Sequence, residues 1–279
     1  MQAEARFVEQ PGTFWAYVRL LSQEIGYSKR GTGLLRRYTL TDVTRTLTAR
    51  GLSADDVVRA GAATEFGERL LSYLNLRARL LEDVARPNLM NREEARKVFE
   101  ELRGRLSPVC TLPFNKQKGE KRHYAFLTCI VNMLTEATLG SCDFDMDPRG
   151  LTTITRNNKP LRTLSRRLDG SYSLGREPIA VWEVKEYYGT TTFGSRVADG
   201  VYETILDGME LSELSEHEGV HVGHYLIVDD YFTWWDCGKA YLCRLVDVLH
   251  MGLVDEVLFG REVVDRWPQI VRTWLLPRE

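Results

Sequence analysis

The sequence predicts an α+β protein: an all-helical N-terminal region, then an α/β/α core in which a mixed sheet is flanked by helices. Three observations carry this. Over about the first 110 residues apolar positions recur at helical spacing, as in the stripe Phe14, Val18, Leu21 and Ile25. After Gly140 the pattern changes to short runs rich in Thr and Leu with alternation, and then to REPIAVWEVKEYYG (176–189), the clearest strand in the chain. Beyond it, SRVADGVYETILDGMEL (195–211) returns to helical spacing. Helix, strand, strand, strand, helix, strand is the order of a mixed sheet covered by helices.

Taken in order, residues 1–27 read as an entry helix. YSKRGTGLLRRYTL (27–40) is a basic loop with two glycines and Lys29, Arg30, Arg36 and Arg37. Residues 41–50 look helical, Gly51 is a C-terminal stop, and Ser53 is a good N-cap for a helix over 54–85. Helix, glycine turn and helix give a helix-turn-helix-like pattern. A break near Arg86-Pro87-Asn88 precedes a helix over 92–105, capped by Asn91 with Glu93 and Glu94 in its first turn. The loop 107–122 carries Lys116, Lys118, Lys121 and Arg122 and reads as a junction, dividing the chain into 1–110 and 111–279. An apolar helix over 123–138 opens the second part. Strands are expected at 151–157, 160–173 and 224–235, a strand or helix at 239–249, and helix from 250 onward.

Composition narrows the class. With 279 residues, 43 % hydrophobic and 27 % charged, the chain can bury a sizeable core without disulfides or a structural metal. The five cysteines form no CxxC pair, so reduced thiols are expected and an iron–sulfur site is not. No apolar run approaches the roughly 20 residues that span a bilayer, and the first residues show no secretory pattern, so the expected compartment is the cytoplasm. Charge is unevenly spread. Residues 1–123 carry 22 Lys/Arg against 15 Asp/Glu, and residues 124–279 carry 15 against 24. A basic front and an acidic back fit a phosphate-facing region joined to a metal-binding one.

The chemistry lies around the clearest strand. Alternation puts Ile179, Val181, Glu183, Lys185 and Tyr187 on one face and Ala180, Trp182, Val184 and Glu186 on the other. A carboxylate and an ammonium thus project together from the end of a strand that begins apolar. Asp169 stands upstream, separated from Glu183 by thirteen residues that include Gly170, Gly175 and Pro178. Antiparallel pairing of the two segments would bring Asp169 to Glu183. Two carboxylates and a lysine suit hydrolysis of a phosphodiester. Mg²⁺ needs only one or two carboxylates beside water and substrate oxygens, and a lysine can orient the attacking water and offset charge.

Asp169, thirteen residues, then Glu183-Val184-Lys185 resembles the signature of the PD-(D/E)XK nucleases, the fold of type II restriction endonucleases. The resemblance covers about residues 123–235 and includes the order of elements. It departs at Leu168, where the family pattern has proline. It implies a Mg²⁺-dependent endonuclease cutting double-stranded DNA, with Mn²⁺ as a substitute, in defence against foreign DNA. Asp169, Glu183 and the carbonyl of Val184 would then be metal ligands, Lys185 the catalytic lysine, and Glu136 a further carboxylate on the preceding helix. A homodimer is one assembly it implies. Repair or recombination nucleases share this chemistry, and a non-catalytic nucleic-acid-binding protein could share the fold. The expected DNA contacts are Lys29, Arg30, Arg36 and Arg37 in one cluster and Lys116, Lys118, Lys121 and Arg122 in the other.

Other signals compete. Asp145 and Asp147 are an alternative source of a metal aspartate. Arg196, Asp199 and Glu203 share one helical face that can approach substrate or form an ion-pair ladder. The hydroxyls and glycines of YYGTTTFGS could bind phosphate or form a plain loop. His217, His221 and His224 match no standard zinc spacing. Tyr231, Phe232, Trp234 and Trp235 read as core before they read as base-stacking groups.

Overall fold

A computed structural model describes residues 1–29, 33–115, 123–175, 177–188 and 194–276. The N-terminal region packs α1 (Gly12–Ile25), α2 (Leu40–Ala49) and α3 (Glu65–Leu80) around Phe14, Val18, Leu21, Leu47, Tyr73 and Leu74. Thr39 and Asp42 form the capping box that starts α2. No helix-turn-helix follows. Ser53 caps only a turn, and the chain folds into a small hairpin, β1 (Val58–Arg59) and β2 (Ala62–Ala63), because Ala60 and Gly61 adopt φ of 50° and 80°. Thr64 then caps α3.

The helix ends within the expected break, at Asn88 rather than at Arg86. A π-type turn, Leu81–Ala85, carries α3 into the short α4 (Arg86–Asn88), and the chain extends only at Leu89. The capping box of Asn91 and Glu94 starts α5 (Arg92–Leu106). This helix buries Ala95, Phe99 and Leu102 in one core with α6 (Phe126–Leu139), so it packs with the sheet region and not with α1 to α3.

Beyond α6 come a separate hairpin, β3 (Thr153–Arg156) and β4 (Lys159–Thr163), and then β5 (Gly170–Leu174) and β6 (Glu177–Glu186). The remaining elements are α7 (Ser195–Glu218), β7 (Gly223–Asp229), α8 (Lys239–His250), β8 (Glu256–Phe259) and α9 (Val263–Thr273). The main sheet has the order β5-β6-β7-β8. Its first pair is antiparallel and the other two are parallel. Ala180, Trp182 and Val184 face α6 and α9, with Ile227 and Leu258 beside them. Val181 meets Leu211 and Leu214 of α7, and Leu226, Val228, Val257 and Phe259 meet α7 and α8. Helices therefore cover both faces of a mixed sheet, and β6 is buried on both sides, which is why it reads as a nearly continuous apolar run.

Two expectations change in the second half, and one open alternative is decided. The strand at 224–235 stops at Asp229, and Phe232–Cys237 is helical. Asp230 turns the chain with φ of 107°, and its carboxylate accepts the N–H of Thr233 at 2.9 Å. Residues 239–249 form a helix. Finally, β8 lies inside the stretch expected to be helical. Its four buried residues, EVLF, are too few to show a period. Among the described residues no helix is long and apolar enough to cross a membrane.

Candidate active site

Gly170 pairs with Trp182 across the β5–β6 hairpin. A Cβ at Gly170 would lie 2.1 Å from the indole, so only glycine fits immediately after Asp169. Trp182 itself is fixed by Trp274, stacked at 5.7 Å, and by Trp267, edge-on at 5.4 Å. On this platform the Asp169 N–H donates to the carbonyl of Trp182 at 3.2 Å, and its Oδ2 accepts the Val184 N–H at 2.9 Å. The N–H and C=O of a strand residue point to the same edge. Val184 therefore turns its carbonyl toward the edge where Asp169 sits.

Glu183 and Lys185 project from the opposite side of β6, toward α7. Glu183 is 1 % exposed. Its Oε1 accepts from Arg166 and its Oε2 from the Lys185 ammonium, each at 2.7 Å. Lys185 also reaches Glu203 of α7 at 2.7 Å. Arg166, between β4 and β5, bonds Asp207 at 2.6 Å and Glu203 at 3.2 Å. Asp169, Glu183 and Lys185 are thus brought together, and Arg166, Glu203 and Asp207 complete the cluster. The helical face of Arg196, Asp199 and Glu203 signalled only Glu203. Asp207, one turn further along the same helix, and Arg166, three residues before Asp169, carried no signal that separates them from surface charges.

Burial governs the ionisation of the acids here. Burial, and next the neighbouring Glu183 carboxylate, push Asp169 up to about 7. Burial likewise lifts Asp207 and Glu186 to about 7. For Glu183 burial acts upward too, but Lys185 and Arg166 outweigh it and hold the group below its ordinary value. Burial alone would lower Lys185; Glu183 and Asp169 reverse this and push it up, so it stays an ammonium at neutral pH. The Oδ1 of Asp207 is buried without a hydrogen-bond partner among the described residues.

A cavity of about 290 Å³ opens beside this cluster, lined by Asp169, Val184 and Glu186, with Asp147 and Arg196 at its walls. Glu186 keeps the parity expected of it and faces α6, where it accepts the Thr128 N–H at 3.0 Å. It still meets Asp169 in one cavity, because Asp169 lies at the strand edge between the two faces. Asp147, not Asp145, is the member of that alternative pair that lines the cavity.

Glu136 is not part of this group. It lies toward the other end of α6, and its two oxygens accept the N–H groups of Val109 and Cys110 at 3.0 and 3.1 Å. The helix register therefore uses it to hold the incoming chain. Of the first basic cluster, Lys29 is exposed, Arg36 is half-buried, and Arg37 is engaged with Glu82 and the Asn75 carbonyl. Arg30, Lys116, Lys118, Lys121 and Arg122 lie outside the described residues. The ends of the second loop are placed, however. The Asn115 N–H donates to the His123 carbonyl at 2.8 Å, and Asn115 lines the Asp169 cavity. Trp234 and Trp235 are buried, and His224 is buried with Nδ1 on the Leu253 carbonyl.

Among the described residues no three His, Cys, Asp or Glu side chains form a group that could hold a metal ion. The donor set nevertheless suits a hard cation that keeps most of its waters. Two adjacent carboxylates and a backbone carbonyl are oxygen donors of the number Mg²⁺ takes from proteins. Buried Asp207 and half-buried Asp169 and Glu186, each lifted to about 7, are groups that a divalent charge would allow to ionise.

The fold and site define an α+β protein with an acid-rich cluster at the edge of a central strand. Residues 90–274 match the family described as "Domain of unknown function (DUF7687)", and the chain belongs to that family. Residues 1–84 match "Domain of unknown function (DUF7690)". No curated protein and no solved structure matches the chain. The division between the two matches falls before α5, in keeping with the packing of that helix on α6.

Proposed function

We propose that this chain is a metal-dependent nuclease that hydrolyses DNA phosphodiester bonds on a restriction-endonuclease-like core, in defence against foreign DNA. The observation that carries the reading is the convergence of Asp169 and Glu183, with Lys185 2.7 Å from Glu183, at a strand edge that opens into a cavity. Mg²⁺, or Mn²⁺ in its place, would be held by Asp169, Glu183 and the Val184 carbonyl. Bound there, the ion polarises the phosphoryl group and lowers the pKa of a coordinated water.

The chain's own residues do the rest. Asp169 gives up its proton to become a ligand. Glu183 would hold the ion with an oxygen now given to Lys185 or Arg166, and the remaining cation would keep it oriented. Lys185, held as an ammonium, is a donor rather than a base; it orients water and offsets charge on the pentacovalent phosphorus. Arg196, at the cavity wall, meets a substrate phosphate.

One observation favours a non-catalytic nucleic-acid-binding role instead: both oxygens of Glu183 are already taken by Lys185 and Arg166. Incubation of supercoiled plasmid with the protein separates the two readings. Nicked or linear product in Mg²⁺ and none in chelator supports the nuclease. Intact plasmid in both Mg²⁺ and Mn²⁺, with DNA still bound, assigns the binding role.

A further inference from the structure

A second cavity lies where α1 meets α7 and α8, away from the Asp169 cluster. Its volume is about 460 Å³, within the range of small-molecule sites, roughly 300–1,000 Å³. Arg19 and Tyr27 enter it from the segment matching one family, and Tyr202 and Arg244 from the segment matching the other. Junctions of this kind are favoured places for ligands.

The charges in this cavity are unbalanced. Among the described residues Arg244 has only phenol partners, Tyr202 at 3.4 Å and Tyr27 at 3.5 Å, and its guanidinium lies over the Tyr241 ring at 5.3 Å. Among the described residues Arg19 donates only to the Met251 sulfur, at 3.7 Å. Other arginines of the N-terminal region do find carboxylates: Arg6 pairs with Glu4, Arg37 with Glu82 and Arg50 with Glu24. Asp247 also lines the cavity, but its carboxylate is spent on Arg77, at 2.9 Å from both oxygens, and on the Tyr73 hydroxyl at 2.6 Å. Two guanidinium groups thus line one cavity in which the carboxylate is already paired. A phosphate that accepts from both supplies a counter-charge and satisfies the fork geometry of each.

The rest of the lining fits what a phosphate can be attached to. Val201, Ile205 and Val248 form an apolar floor. Tyr202 is 57 % exposed and presents a ring beside the cations. An aromatic ring stacks on any base, because every base has a π-face.

We propose that this cavity binds a mononucleotide, with its phosphates on Arg19 and Arg244 and its base against the tyrosine rings. The proposal does not rest on the nuclease reading, and its readout is binding rather than cleavage. The test is calorimetric titration of the full chain with ATP, inorganic tripolyphosphate, adenosine and a short DNA duplex. ATP is expected to bind more tightly than tripolyphosphate or adenosine. Arg19→Ala should weaken ATP on the order of tenfold, the size of one lost charged hydrogen bond. Arg19 is exposed on α1, so this variant keeps the wild-type melting temperature. Arg244→Lys should weaken ATP as well, because an ammonium cannot replace the fork. Absence of ATP binding at millimolar concentration overturns the proposal, as do equal affinities for ATP and tripolyphosphate. Loss of duplex binding in Arg19→Ala with ATP affinity unchanged also overturns it, and would place the arginines on a DNA path.

Discussion

Asp169 reaches across the β5–β6 hairpin to accept the backbone N–H of Val184 at 2.9 Å. The bond comes one residue after Glu183, so it sets the two carboxylates side by side. Burial, and next the Glu183 carboxylate beside it, make Asp169 hard to ionise, and this gives the site a pH dependence with a definite sign.

Asp169, Glu186 and Asp207 are each pushed up to about 7, and Asp229, buried under Tyr188, to about 8. Unfolded carboxyls titrate near 4. Between those limits the folded state binds more protons than the unfolded state, so stability is lost as pH rises through the window. Glu183 acts oppositely, but its window lies below its ordinary value, and His224 and His250, lowered by burial, act oppositely only below the ordinary imidazole range. In chelator the melting temperature should therefore fall between about pH 6.5 and pH 8. A ligand must be ionised, so the stabilisation by Mg²⁺ should grow over the same range. Thermal melts with and without Mg²⁺ measure both; a Mg²⁺ shift that shrinks as pH rises would contradict the assignment.

Glu136 should be dispensable for cleavage. Replacing it by Ala removes the acceptor of two backbone N–H groups and should cost about 1 kcal/mol of stability. The cleavage rate of Glu136→Ala at a temperature well below its melt should equal that of the wild type. A rate loss that persists there would return Glu136 to the site.

The N-terminal helices are tied to the core through Arg77, which is fully buried and paired with Asp247 of α8. Asp247→Ala leaves that guanidinium uncompensated, and breaking a buried pair in this way costs roughly 3–5 kcal/mol. Denaturant melts should show a large loss. Replacing both residues by apolar ones of similar volume should recover much of it.

Phosphate contacts release counterions, so each lost contact flattens the salt dependence of DNA affinity by about one unit of slope. Ala substitution of Lys116, Lys118, Lys121 and Arg122, whose flanking residues Asn115 and His123 are bonded at the cavity, is expected to do this. Arg37→Ala should not, since Glu82 already holds that guanidinium. Affinity measured against salt separates the two.

Some of this was legible in the sequence and some was not, for physical reasons. The face shared by Val181, Glu183 and Lys185 follows from strand alternation alone, and the turn residues after Asp169 implied the hairpin that brings it to Glu183. The caps at Asn91 and Thr64 are local, and Asn91 could be read directly. Glu136 was misplaced because a helix register is settled by what packs on it; here that is the chain at Val109 and Cys110. The strand β8 was missed because four buried residues carry no period. Arg166 and Asp207 were missed because their pairing depends on tertiary approach between a loop and α7, which leaves no spacing in the chain.

The most direct test is the cleavage rate of one DNA substrate in saturating Mg²⁺ by the wild type, Asp169→Asn and Lys185→Met. Asn at 169 keeps an oxygen for the Val184 N–H and so preserves the hairpin while removing the charge. Cleavage should be lost in both variants. Mg²⁺ should still stabilise Lys185→Met but not Asp169→Asn, because of these two only Asp169 is a proposed ligand. Wild-type cleavage that survives in a folded Asp169→Asn protein would contradict the account.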